Sequence, residues 1–377
     1  MIFLNPTDLL RNYDYQNLTI AALGGHSALE VCHGAKRQGF RTLVIAKRGR
    51  ERTYTQYLKF VSATQTGCVD EVILVEEFTD ILKPEFQQNL RQLNALIVHS
   101  RYFWVYFPDF RQVEQDFAVP IIGSREFLRF EERDQKPNQY DILRQAGIRL
   151  PRIFKNPKEI DCLTLTKIPS KARKYERANF FARTAEEWQK VTQQKLAAAE
   201  IEQADLNKAV IEEFILGTPV NFNFFYSGLQ KRLELLGTDT RRQTNLDGVL
   251  RLPAQTMLQL GADFQPFHIE TGHLPATVKE SLLEKAFVAG EKFIATCQQF
   301  HQRGFTGPFA LQGAIETNGK EEELVIFDVS FRMPGSPCIL ATPYSRYLFG
   351  RPVSLGERIA MEVKLAVQKN SLAEIVS

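Results

Sequence analysis

The chain has 377 residues, 44% hydrophobic and 24% charged, with a formal net charge of +3. That composition suits a folded protein with a large core, and because single cores stop growing near ~250–300 residues it predicts two or three subdomains. So small a net charge argues against nucleic acid as the partner and excludes a charged tail as the main business of the chain.

The cysteines Cys32, Cys68, Cys162, Cys297 and Cys338 lie far apart and form no CxxC pair, which argues against a disulfide framework and a structural zinc site. No apolar run reaches the ~18–20 residues of a bilayer span. The opening Met1–Pro6 has no basic leader and no signal-like apolar segment. The expectation is a cytoplasmic protein that engages no membrane.

Leu18–Leu23 reads as a strand, Gly24-Gly25-His26-Ser27 as a tight turn, and Ala28–Gln38 as a helix burying Leu29, Val31, Cys32 and Ala35. Gly39 ends that helix and Arg41–Ala46 is a second strand, which makes a βαβ unit and implies a parallel sheet. Glu71–Val75, Ala95–Val98 and Val119–Ile122 continue it, so residues 1–130 are expected to form a doubly wound α/β domain. Asp134–Ala146 then reads as a helix, Cys162–Ile168 as a strand ending near Lys167, Thr184–Gln203 as a long helix, and Val210–Ile215 as a strand. Asn221–Tyr226 and Lys231–Gly237 look like an antiparallel pair. Val278–Gln302 reads as a helix, Phe309–Glu316 and Glu322–Ser330 as a hairpin turned by Asn318-Gly319, and Leu355–Val367 as a final helix. The order predicts α/β followed by α+β, with subdomains at 1–130, 131–218 and 219–377.

Three groups of residues could carry chemistry. The Gly24–Ser27 turn opens a helix, so its N–H groups could bind a phosphate, or Ser27 could simply cap the helix. Lys167 at a strand end could neutralise transferring phosphate, and the adjacent Glu212 and Glu213 must face opposite ways on their strand, although surface charge also explains all three. Gln312 and Asp328 fall on neighbouring strands. A carboxylate among apolar residues needs a partner, either a divalent cation or an arginine such as Arg332, which strand alternation puts on one face with Asp328 and Ser330.

In this order the three groups resemble the ATP-grasp superfamily. Within it the chain resembles the archaeal-type family of 5-formaminoimidazole-4-carboxamide ribonucleotide synthetases. The resemblance runs through Ile20–Ser27, Val210–Gly217, Leu246–Ala254 and Gly307–Gln312. It implies an ATP-grasp architecture with an N-terminal parallel domain, and a ligase that joins formate to the amine of an aminoimidazole carboxamide ribonucleotide (AICAR) through formyl phosphate. It further implies ATP and Mg²⁺ or Mn²⁺ as cofactors and a homo-oligomeric assembly. By the same resemblance His26, Ser27, Ser100 and His273 would bind the nucleotide substrate. Lys167, Glu212, Glu213 and Gln243 would bind ATP, Gln312 and Asp328 would hold the metal, and Lys167 and Arg332 would act in catalysis.

The chain departs from that pattern where the family has a glycine-rich loop, here Ser170–Arg177 with four basic residues and no glycine. It departs again at Ser100, where the family reads His-Gly-Ser, and at Asp328, Gln243 and His273, where the family has Glu, Glu and Asn. These changes point to two alternatives: a ligase for another carboxylate–amine pair, or a nucleotide-binding protein without catalysis.

Overall fold

The computed structural model describes residues 4–107, 109–168, 179–260, 268–317 and 319–377. The first sheet is parallel and contains β1 (Thr19–Leu23), β2 (Arg41–Lys47), β3 (Glu71–Val75), β4 (Ala95–Val98) and β5 (Ile121–Ile122), in the order β3-β2-β1-β4-β5. β1 and β4 are buried at every residue, which is why they read as unbroken apolar runs rather than as alternation. The strand order reverses between β1 and β4. In sheets of this kind ligands bind beyond the carboxyl ends of the strands at that reversal. The turn after β1 carries Gly24–Ser27 and the turn after β4 carries His99–Tyr102, so both flank one crevice.

Helix α1 (Ala28–Arg37) buries Val31, Cys32 and Ala35 as expected. Beyond the parallel sheet, helix α2 covers Gln139–Gln145 and not the predicted 134–146. Pro137 disfavours helical backbone in the residue before it, and Asn138 starts the helix by accepting from the Tyr140 amide while Asp141 accepts from the Asn138 amide. The second sheet is small and antiparallel, with β6 (Ile153–Phe154), β7 (Thr164–Lys167), β8 (Phe180–Ala182) and β9 (Val210–Glu213) in the order β6-β9-β7-β8. Helix α3 (Ala185–Ala197) is shorter than the predicted Thr184–Gln203, because Thr184 is its N-cap and Ala199 turns left-handed with φ 53°.

The third sheet is antiparallel and holds β10 (Thr218–Ser227), β11 (Arg232–Thr244), β12 (His268–Ala276), β13 (Gly307–Thr317) and β14 (Glu322–Ser330), in the order β12-β11-β10-β13-β14. β12 was not legible in the sequence, and its Pro275 is accommodated because β12 is an edge strand. Asn318, one half of the predicted β13–β14 turn, lies outside the described residues. Helix α4 (Glu280–Phe300) packs on this sheet through Ala286, Phe293 and Cys297, with Phe224, Phe309 and Phe331 in the same core. The cysteines are all unpaired, and no described helix is long and apolar enough to cross a membrane.

The last long helix, α5 (Leu355–Gln368), closes against α1. Their backbones touch: a Cβ on Gly34 would lie 2.1 Å from the Glu357 nitrogen, and one on Gly356 would lie 2.2 Å from the Glu30 oxygen. Glu30 is buried in this contact, and its Oε1 accepts from the Leu355 amide at 3.2 Å while Oε2 has no partner. Burial pushes its carboxyl up to about 7, although the Leu355 and Gly356 amides act the other way. The folded chain therefore holds this proton more tightly than the unfolded chain, where 4.5 is usual. Stability is predicted to fall as pH rises from about 4.5 to about 7. Glu30→Gln should remove that fall and raise the unfolding free energy at pH 8 on the order of 2–4 kcal/mol, with little change near pH 4.5. Urea unfolding at the two pH values measures it.

Candidate active site

A cavity of ≈ 320 Å³ opens between the second and third sheets, lined by Lys167 and Glu212 on one side and Gln312 and Asp328 on the other. Apolar residues Leu165, Ile168, Phe214 and Ala314 form another part of its wall. Within it the charged groups form one chain. Lys167 Nζ pairs with Glu212 and donates to the Phe327 carbonyl at 3.2 Å. The Glu212 carboxylate accepts from the Tyr140 hydroxyl at 2.6 Å. Arg133 Nε donates to that hydroxyl oxygen at 2.8 Å, and Arg133 Nη2 reaches Asp328 Oδ1 at 2.7 Å. Burial lowers the Lys167 ammonium from its ordinary range, against the pull of Glu212 in the other direction. Strand alternation sends Glu213 the opposite way, as expected, to pair with Arg152 at 3.4 Å.

Gln312 and Asp328 are direct partners across β13 and β14, beside a register shift between Gln312 and Gly313. The shift breaks alternation, so Phe327 and Asp328 are both half-buried and Asp328 faces the cavity instead of the core. Arg332 does not pair with Asp328 as strand alternation suggested. It lies beyond the last residue of β14, and its Nε sits 3.2 Å from Glu131 Oε1. Gln312 Oε1 accepts from Arg241, while its Nε2 donates to Ser330 Oγ at 2.9 Å. Among the described residues no cluster of three or more His, Cys, Asp or Glu could cage a metal. One carboxylate and one amide oxygen on neighbouring strands suit a cation that arrives with phosphate and takes its remaining ligands from phosphate and water.

The crevice at the strand reversal holds the second group. His26 lies in left-handed backbone with φ 36°, and its Nδ1 is 2.6 Å from Ser27 Oγ. Ser27 does not cap α1, because its hydroxyl donates to the Pro334 carbonyl at 3.1 Å. The His26 ring closes on Gly335, where a Cβ would sit 2.7 Å from it. His26 is solvent-accessible at the crevice floor. Desolvation there, then the charges of Arg332 and Arg101, hold it well below the usual histidine range. Ser100 is buried, with Oγ 3.4 Å from the Tyr102 amide. His273 Nδ1 lies 2.5 Å from Asp239 Oδ2 and 3.3 Å from Ser336 Oγ. His26, Ser27 and His273 thus meet the same Pro334–Ser336 turn, and Arg101, Arg241 and Arg332 join this crevice to the first cavity.

The sequence did not single out Arg133, Tyr140, Glu131, Arg101, Arg241 or Asp239. Glu131 and Arg133 sit in the charge-rich stretch 129–134, which reads as solvated surface, and Arg101 is a lone charge in an aromatic segment. The inward strand position of Asp239, between the apolar Leu235-Leu236 and Arg241, was the one available signal. The Gln243 side chain and the 170–177 loop lie outside the described residues.

Two family models match the chain, one described as a domain of unknown function, DUF1297, over residues 187–377, and one as a protein of unknown function, DUF1246, over residues 20–154. The chain is 35% identical over 373 residues to the 5-formaminoimidazole-4-carboxamide-1-(beta)-D-ribofuranosyl 5'-monophosphate synthetase of Methanobrevibacter smithii, covering 98% of this chain and 97% of that protein. The chain belongs to the 5-formaminoimidazole-4-carboxamide ribonucleotide synthetase family. The crystal structure of an IMP biosynthesis protein, PurP, from Thermococcus kodakaraensis superimposes with a TM-score of 0.67 at 24% identity, over 95% of this chain and 100% of that one. The N5-carboxyaminoimidazole synthetase of Staphylococcus aureus complexed with ADP gives 0.55 at 13% identity, over 92% and 77%. The synthetase-family fold seen here is the ATP-grasp architecture, with its parallel N-terminal sheet followed by two antiparallel sheets.

Removing one partner from the buried pair leaves the other charged and alone. Glu212→Ala is predicted to cost about 3–5 kcal/mol of unfolding free energy. Tyr140→Phe deletes the hydroxyl's bonds to two charged groups, Glu212 and Arg133, but leaves each paired with Lys167 or Asp328, so it should cost less, about 1.5–3 kcal/mol. Denaturant titration of the two variants checks the order.

Proposed function

We propose that this chain is an ATP-dependent carbon–nitrogen ligase that joins formate to the amine of AICAR, giving the formylated nucleotide FAICAR on the route to IMP. The end-to-end identity to the synthetase of Methanobrevibacter smithii carries this reading. The site supports it, because a phosphate-ready cavity and a cationic crevice meet at Arg241 and Gln312.

In this reading ATP lies in the cavity, with its base against Leu165, Phe214 and Ala314 and with Glu212 and Glu213 at the strand beside it. Gln243 belongs to the same ATP-binding set. Gln312 and Asp328 would hold Mg²⁺ or Mn²⁺, which supplies charge neutralisation on the phosphates. Lys167 steadies the γ-phosphoryl group as it passes to a formate oxygen, releasing ADP and leaving formyl phosphate. Arg332 and Arg241 balance the charge of that acyl phosphate. His26, Ser27, Ser100 and His273 line the crevice for AICAR. Its amine attacks the formyl carbon, the carbon–oxygen bond to phosphate breaks, and inorganic phosphate leaves.

The three sheets support subdomains at 1–130, 131–218 and 219–377. The protein works as a homo-oligomer in the cytoplasm.

Incubated with ATP, formate, AICAR and Mg²⁺ or Mn²⁺, the purified chain is expected to form ADP, phosphate and formylated nucleotide in equal amounts. Lys167→Met and Asp328→Ala should each lower kcat by about 10²-fold or more, as expected when a charge aimed at the transition state is lost. Product chromatography measures both. Absence of ADP with either metal rules out this activity, and faster ADP release with another acid or amine reassigns the substrate pair.

A further inference from the structure

AICAR carries an amine that reacts at one end and a 5'-phosphate that does not at the other. In the ligase reading the amine must reach the acyl phosphate beside Arg241 and Arg332. A second phosphate at that place would meet the first at close range, and the two would repel. The nucleotide's own phosphate therefore belongs at the other end of the crevice. At the inner end the polar groups are engaged with one another: Glu131 with Arg332, Gln312 with Arg241, and Asp239 with Asn221, Asn223 and His273.

The outer end lies where β1, β2 and β3 finish. β1 and β2 run side by side to their ends, with Leu23 next to Ile45, so the turns that leave them are neighbours. Tyr54, from the segment after β2, packs on the first of these turns, where a Cβ on Gly24 would meet its Cε2 at 3.1 Å. Gly25 has φ 127°, and a Cβ there would collide with the Tyr102 hydroxyl. The Tyr102 ring is held by its neighbours, its centre 5.2 Å from Phe78 and 4.9 Å from Tyr106. Burial, then Tyr106, raises its hydroxyl above the ordinary phenol range against the pull of Arg50, so the group stays protonated and can donate. The hydroxyl covers the Gly25 backbone, and an anion at this end meets the hydroxyl before it meets the turn. His26 contacts Gly335 and faces the Tyr102 ring at 6.4 Å, so it spans the interval between the two ends.

The end of β2 and the turn after it are basic, with Lys47, Arg48, Arg50 and Arg52. Three of the four are engaged. Lys47 pairs with Glu77, Arg48 with Glu76, and Arg52 donates to the Gln56 and Tyr57 side chains. Glu51 turns back to the Gly49 amide. Arg50 is exposed and has no carboxylate partner among the described residues, yet its charge acts on the Tyr102 hydroxyl. A free guanidinium beside a phenol donor makes a seat for a phosphate monoester, because the guanidinium fork matches two phosphate oxygens. We propose that Arg50 and the Tyr102 hydroxyl bind the 5'-phosphate of the nucleotide substrate and so set a preference for nucleotide over nucleoside. The proposal rests on the ligase reading above.

Nucleotide and nucleoside separate this subsite from the rest of the site. The wild-type chain should use AICAR in preference to its dephosphorylated riboside, read as the ratio of the two kcat/KM values. Arg50→Ala should raise the KM for AICAR about 10–10²-fold, the loss expected for hydrogen bonds to a charged group, with kcat within a few-fold. The nucleotide-over-nucleoside ratio should fall by the same factor. Arg50→Lys should recover part of it, and Tyr102→Phe should lower it less. Arg48→Ala removes a charge of the same turn that is already paired with Glu76, and it should keep the wild-type ratio. Equal losses for nucleotide and riboside, an unchanged ratio in Arg50→Ala, or an equal effect of Arg48→Ala overturns the subsite. Calorimetric titration with AICAR and with the riboside reads the same preference without turnover. A wild-type chain that prefers the nucleotide in titration, loses that preference in Arg50→Ala and formylates nothing brings down the ligase reading and leaves the subsite standing.

Discussion

The charged chain from Lys167 through Glu212, Tyr140 and Arg133 to Asp328 is the interaction on which the rest of the site depends. Lys167 and Glu212 come from the second sheet, Asp328 from the third, and Arg133 and Tyr140 from the segment between the first two sheets. None of these side chains could be held at the cavity wall alone, because an unpaired charge there would be desolvated without compensation. Each is tolerable only while the neighbouring unit is in place. The same contacts that satisfy the charges therefore set how the two antiparallel sheets face each other. Such pairs add little net stability compared with apolar packing, but they specify one arrangement.

The second half of the site obeys a different constraint. The parallel sheet reverses between β1 and β4, and the turns leaving those strands must border a crevice. The third sheet supplies the other wall by sending the segment after β14 across it. His99 links the two, with its ring nitrogens 3.1 Å from the Ile122 and Phe331 carbonyls. The Ser27 contact to Pro334 and the close approach of Gly335 to His26 continue that seam. The cavity and the crevice thereby share Arg101, Arg241 and Arg332, an arrangement that suits the proposed reaction between two bound substrates.

Legibility varied with the range of the forces involved. The β1–α1–β2 unit was readable because its apolar periodicity and turn glycines act within about thirty residues of chain. Lys167, the opposed pair Glu212 and Glu213, and the Gln312–Asp328 pairing were readable because strand geometry is local. The partner of Asp328 was not. Arg332 is near in sequence, but the bulge in β14 re-aims Asp328 toward Arg133, which is 195 residues away. Asp239 and its three donors lie on three strands of one sheet, so no single window contains them.

By itself the sequence determined most of the longer strands and helices, though not β12, together with the parallel-then-antiparallel plan and which residue types could meet phosphate. It did so because periodicity, capping and turn chemistry are properties of neighbours along the chain. Only the tertiary structure decided which charges face one another, that Ser27 binds the Pro334 carbonyl in place of capping a helix, and that His273 is oriented by a buried aspartate. Those choices follow from desolvation, which penalises every unpartnered polar group and is felt only once distant segments have closed around it.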